Sequence, residues 1–183
     1  VAPTSQRSRL DLKTVLETSR VLIEAKDVHF VLENLLRIAM GKLLVSRATI
    51  LLFNEESGTY SATLTKGSAG IKEGQTFEIN LEPDSLSLPH FILSNISENA
   101  RELQAFYPKG ALFNLRTSSQ HLGFLVISQK LTKTDFTNEE LEFLESLCII
   151  SSSAVANSRM FDQLTQANRK LDQRVHELNT LFD

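Results

Sequence analysis

Four histidines, one cysteine and a run of three serines are the first places to look for chemistry in this 183-residue chain. The histidines are His29, His90, His121 and His176. No two of them stand at the i, i+4 spacing or in the Cys/His patterns that hold a metal, so no metal site is expected. Cys148 lies between Leu147 and Ile149 and reads as a buried, inert thiol; alone it can form no internal disulfide. Ser151, Ser152 and Ser153 are flanked by Ile150 and Ala154 with no base nearby in sequence, which is the pattern of helix packing and not of a nucleophile. Gly67, Gly70 and Gly74 lack the phosphate-loop spacing, and the pairs Glu55-Glu56 and Glu139-Glu140 fall at a turn and a helix start. No catalytic residue is assigned, and this chain is not expected to be an enzyme in itself. His176 falls on an outward, solvated position, and His90, behind Pro89, is kept as a candidate ligand contact.

The elements that position these residues follow from periodicity. Leu10–Ala25 reads as an amphipathic helix. A second, capped by Asp27, runs from Val28 to about Leu44. Strands are predicted at 47–54, apolar on both faces, at 59–65, with Tyr60, Ala62 and Leu64 on one face, and at Phe77–Leu81. The stretch 82–108 reads as an irregular crossover with helical pieces at Pro89–Leu93 and Ser97–Phe106. Strands at 111–116 and 122–128 follow, joined by a polar turn. The last helix opens on a capping box, Thr137 with Glu140, framed by the staple pair Phe136 and Leu141.

From Phe143 apolar residues recur at alternating spacings of four and three to the end of the chain, a heptad seam. Past Leu164 nothing later in the sequence can cover that seam. Leu164, Asn168, Leu171, Val175 and Leu178 are therefore expected to face a second copy in a parallel coiled coil, making the chain a homodimer. Asn168 at an a position favours an in-register pair at some cost in stability. The chain begins at Val1 and stops inside a heptad, so it is expected to be a piece of a longer protein.

The order helix, helix, strand pair, crossover, strand pair, long helix resembles a GAF domain. The stretch from His121 to Phe161 carries the likeness, with Gly123 in the terminal strand, Lys130 in the loop, Phe136, the acidic capped start Glu139–Leu144, small Ala154 and Ala156, and Asn157 near the exit. The resemblance implies an α+β fold: an antiparallel sheet of five or six strands, with the first and last helices on one face and the crossover on the other. Ile50, Leu52, Leu64, Phe113, Phe124, Val126, Leu144 and Leu147 should be buried. It also implies a ligand pocket between the sheet and the crossover, which Phe77, His90, Phe91, Phe113 and Phe124 would line. Members that bind cyclic nucleotides carry Asn-Lys, a later Phe and Asp-Glu, where this chain has Gln129-Lys130, Phe136 and Glu139-Glu140; bilin-binding members place a cysteine at the pocket, whereas Cys148 lies on the long helix. No cofactor is assigned; an unidentified small molecule is the expected occupant if there is one.

Residues 1–9 are thus expected to be a linker, 10–161 the GAF-like domain and 162–183 a coiled-coil linker. The function implied is a regulatory sensory and dimerisation module, which passes ligand or partner state along the paired helices to a C-terminal output domain such as a Ser/Thr phosphatase, histidine kinase or cyclase. The alternative is a ligand-free domain that serves only to dimerise its parent. A formal charge of −3 argues against nucleic-acid binding, and no apolar run approaches the ~20 residues of a membrane span. A cytoplasmic setting is expected.

Overall fold

The computed structural model describes residues 27–67 and 70–182, together with Thr14, Leu16 and Glu17. The helix expected at 10–25 lies outside the described residues apart from those three, which are helical. Helix α1, Val28–Leu43, begins where Asp27 accepts a hydrogen bond from the His29 amide at 3.0 Å. It ends at Leu44, whose φ of 54° turns the chain into the left-handed conformation.

Six antiparallel strands follow: β1 Ala48–Asn54, β2 Thr59–Lys66, β3 Thr76–Phe77, β4 His90–Ile92, β5 Ala111–Arg116 and β6 His121–Ile127. They form one sheet in the order β3-β2-β1-β6-β5-β4. β1 and β6 are central, and Ala48, Thr49, Ile50 and Leu51 are buried on both faces, as the doubly apolar segment requires. Helix α2, Arg101–Phe106, closes the crossover, and helix α3, Asn138–Phe182, ends the chain.

Two hydrophobic layers sandwich the sheet. On one face α1 and the first half of α3 pack on Ile50, Leu64, Phe113, Leu125 and Ile127. On the other the crossover packs Ile79, Leu93, Leu103 and Tyr107 on Leu51, Ala62, Leu112, Phe124 and Val126. The reciprocal capping box of α3 is formed: the Glu140 amide donates to Thr137 Oγ1 at 3.2 Å, and the Thr137 amide donates to Glu140 Oε2 at 2.9 Å.

Four local expectations are corrected. Pro89–Leu93 is not helical: His90, Phe91 and Ile92 pair with Phe113, Leu112 and Ala111 to add the outermost strand, and a 3-10 turn at Leu93–Ile96 follows. Proline lacks an N–H and forces its predecessor toward extended backbone, which suits a strand start at a sheet edge. Tyr60 and Ala62 do not share a face with Leu64, because the β1–β2 register slips between Ile50 and Leu51. The extra residue, Thr63, moves Leu64 to the helical side. The third strand is also shorter than expected, with only Thr76 and Phe77 pairing to β2, and Leu52 is only partly buried.

Gly123 in β6 has a φ of +153°, and a Cβ there would lie 1.9 Å from the Leu51 carbonyl oxygen. The close approach of β6 to β1 therefore requires glycine.

Candidate functional site

Alternation along the strands decides what the crossover-facing surface contains. β5 directs Leu112 and Asn114 toward it and sends Phe113 to the opposite face; β6 contributes His121, Phe124 and Val126; β1 and β2 contribute Phe53 and Tyr60. The five residues expected to line a pocket therefore do not converge. Phe77, Phe91 and Phe124 are in the crossover layer, whereas Phe113 lies in the helical layer. His90 stacks on Phe113, with ring centroids 5.8 Å apart, and its Nδ1 is 2.6 Å from Glu145 Oε1 on α3. The centre of the crossover layer is filled by its own aromatic rings: Phe77, Tyr107 and Phe124 are essentially inaccessible to solvent.

At one end of this layer a polar chain crosses the sheet. Asn114 Nδ2 donates to the Leu86 and Leu88 carbonyls of the crossover, and the Asn114 amide donates to the Pro89 carbonyl at 2.9 Å. With its amide group so used, Asn114 presents Oδ1 to His121 Nδ1 at 2.8 Å. His121 Nδ1 must then carry the proton, which leaves Nε2 to accept from the Tyr60 hydroxyl at 3.0 Å. The rings of Phe53, Tyr60 and Phe124 surround the imidazole, with centroids 4.8 to 6.0 Å away. Burial among them lowers the His121 pKa to about 4 and raises that of Tyr60 to about 12. Both groups are neutral near pH 7, and the chain acts as a clasp between crossover and sheet. It supplies donors and acceptors but no activated nucleophile and no base suited to neutral pH.

The opposite end has a simpler clasp. Thr49 Oγ1 and the Tyr107 hydroxyl are 2.8 Å apart, and the Arg47 guanidinium sits 5.4 Å from the Tyr107 ring centroid while donating to the Phe106 carbonyl at 3.2 Å. Burial raises the Tyr107 pKa, with the Thr49 hydrogen bond and Arg47 acting against it.

Sequence reasoning missed Tyr60, Asn114 and His121 as a unit. They come from β2, β5 and β6, and the only local signal was a polar Asn114 inside an otherwise apolar strand. Cys148, Ser151 and Ser152 are held in the packing of α3, where Ser151 Oγ is buried without a hydrogen-bond partner among the described residues. Cys148 is fully buried, and burial together with nearby Glu145 pushes its thiol pKa up. Ser152 and Ser153 donate back to the Cys148 and Ile149 carbonyls of their own helix. Among the described residues no cluster of three or more His, Cys, Asp or Glu side chains gathers, and no helix is long and apolar enough to cross a membrane.

α3 is the second feature of the site. Phe143, Leu144, Leu147, Cys148, Ala154 and Val155 are buried in the helical layer, and Ser158 is the last buried residue. Beyond it the helix continues unbroken with its seam open: Leu164 is 59% exposed, Leu171 58%, Val175 55% and Leu178 54%.

The sequence matches no family model and no curated protein. Solved structures do match. The GAF domain of a phosphoenolpyruvate-protein phosphotransferase from Acinetobacter superposes with a TM-score of 0.65 at 18% identity, covering 87% of this chain and 97% of that one. The corresponding domain from Coxiella burnetii gives 0.65 at 20% identity over 84% and 96%. The GAF domain of a two-component sensor histidine kinase from Bacillus halodurans gives 0.58 at 21% identity over 75% and 99%. The fold is that of a GAF domain. The six-stranded antiparallel sheet with its paired layers and long terminal helix is the α+β architecture that the resemblance implied.

Proposed function

We propose that this GAF domain is a regulatory sensory and dimerisation module of a signalling protein, in which two copies pair through the distal half of α3. The observation that carries the reading is the continuity of that helix. One 45-residue element is embedded in the core at one end and presents an open apolar seam at the other. A helix polar on all but one stripe gains stability by covering that stripe. Residues 10–161 then form the sensing body and 162–183 the coiled-coil linker, with Leu164, Asn168, Leu171, Val175 and Leu178 facing their copies. The pair passes ligand or partner state to an output domain attached C-terminally. Similar GAF domains come from a sensor histidine kinase and from phosphotransferases. This supports an output of the signalling class, and a phosphatase, kinase or cyclase would each serve.

A second reading, a domain that binds no small molecule and only dimerises its parent, is favoured by one observation. The rings of Phe77, Tyr107 and Phe124 occupy the space between sheet and crossover. Under the first reading a ligand on that face has to open the Asn114–His121–Tyr60 clasp.

Replacing Leu171 and Leu178 by Asp tests the dimer. Each seam side chain buried contributes on the order of 1–3 kcal/mol, so sedimentation at micromolar concentration should show the variant as a monomer with an intact far-ultraviolet spectrum. An unmodified chain that sediments as a monomer at tens of micromolar, and still does so when lengthened by two heptads, refutes the coiled coil.

A further inference from the structure

A groove of about 630 Å³ lies where β4, the loop after β6 and the first turn of α3 meet. It is distinct from the crossover layer. Ile92, Pro108, Phe136 and Leu141 give it an apolar floor. A smaller cavity of about 230 Å³, walled by Arg47 and Tyr107, adjoins it and shares Pro108, Lys109 and Gln129. The charges are one-sided. Arg47, Lys109 and Lys133 oppose a single carboxylate, Asp135, in a chain whose formal charge is −3.

These cations are not equivalent. Lys130, on the same loop, is neutralised by Glu140, with both carboxylate oxygens within 2.9 Å of its Nζ. Arg47 is committed to the Phe106 carbonyl and the Tyr107 ring. The ammonium groups of Lys109 and Lys133 have no hydrogen-bond or ion-pair partner among the described residues. Lys133 is also held at a φ of +57°, unusual for a residue with a Cβ, by the turn in which its amide donates to the Lys130 carbonyl. The loop thus spends backbone strain on presenting this lysine beside the apolar floor.

We propose that this groove is a binding site for a small organic anion with an apolar body, and that its occupant acts directly on the start of α3. The volume suits a small-molecule ligand. The floor would take the apolar part and Lys109 and Lys133 the carboxylate or phosphate. Phe136 and Leu141 are the staple pair flanking the capping box of α3, so a ligand packed on them stabilises the first turn of the helix that leaves the body. His90 is a further wall and ties the groove to Glu145 one turn later. The groove thereby meets α3 directly at Leu141 and, through His90, at Glu145.

The test is an amide-resolved NMR titration of the full chain with 1-naphthoate and 1-naphthyl phosphate, with 1-naphthalenemethanol as the uncharged control. The expected result is saturable shifts at Ile92, Ser94, Lys109, Gln129 and residues 133–141 with at least one anion, and binding at least tenfold weaker for the alcohol. Which anion binds more tightly separates a carboxylate site from a phosphate site. The paired change Lys109→Glu and Lys133→Glu should weaken anion binding at least tenfold, and Lys66→Glu should leave it unchanged. The paired Gln changes, milder on an exposed surface, should weaken it several-fold. Hydrogen exchange at Glu139–Leu144 should slow several-fold with ligand bound. Equal binding of the alcohol, affinity indifferent to both lysine pairs, shifts confined to the crossover face or the Leu164–Leu178 seam, or unaltered exchange at Glu139–Leu144 would each overturn the proposal. None of these outcomes bears on the dimer, which sedimentation decides separately.

Discussion

Acidification should loosen the body of this domain through His121 before its carboxylates are neutralised. The imidazole is enclosed by Phe53, Tyr60 and Phe124, and its pKa falls from 6.5 to about 4 through burial. The unfolded chain therefore binds a proton at His121 in the window from about pH 6.5 to about pH 4, where the folded chain does not, and stability must decline as pH falls through it. A shift of that size corresponds to about 3 kcal/mol in all, of which about 2 kcal/mol is lost by pH 5. The proton that finally enters goes to Nε2, the atom accepting from Tyr60, so the clasp breaks when His121 charges. Urea unfolding followed by circular dichroism, at half-unit steps from pH 7.5 to 4.5, measures the slope for the unmodified chain and for His121→Gln. The variant retains every carboxylate, so the difference between the two curves isolates the imidazole. That difference should shrink by about 2 kcal/mol between pH 7.5 and pH 5. A difference that stays level across the window, or an NMR titration placing His121 near its ordinary 6.5, refutes the enclosure of this ring.

Other perturbations probe separate parts of the structure. Gly123→Ala places a methyl group against the Leu51 carbonyl in a backbone conformation that suits glycine, and should cost about 3 kcal/mol or more in thermal or chemical unfolding. Thr137→Ala removes one half of the reciprocal cap and should cost about 1 kcal/mol, with faster hydrogen exchange confined to the first turn of α3. Asn168→Leu should raise dimer stability in sedimentation while broadening the choice of register or oligomer, which cross-linking between single cysteines introduced in the rod would read.

Elements defined by neighbours in sequence were legible. The Asp27 cap, the doubly apolar β1, the capping box at Thr137 and the period of α3 are all written within a turn or a strand. Features created by pairing were not. β4 is three residues long behind a proline, and it is a strand only because Phe113, Leu112 and Ala111 lie alongside. The bulge at Thr63 reverses the side of Leu64, and no residue type there announces it. The expected lining residues do not share one layer for the simplest reason: Phe113 alternates with Leu112 and Asn114, so it faces the helical layer. The His121 clasp needed β2, β6 and β5 gathered into one sheet with β1 between the first two, and only Asn114, polar within an apolar strand, hinted at it.

The distal half of α3 also has the geometry of a lever. From Ser158, the last buried residue, to Phe182 the helix extends about 36 Å at 1.5 Å per residue. A tilt of about 5° at its seat among Leu147, Cys148 and Val155 carries the tip sideways by about 3 Å, while a side chain at the pivot moves by only a few tenths of an ångström. Repacking too slight to alter the sheet would thus be magnified roughly tenfold at the far end of the helix.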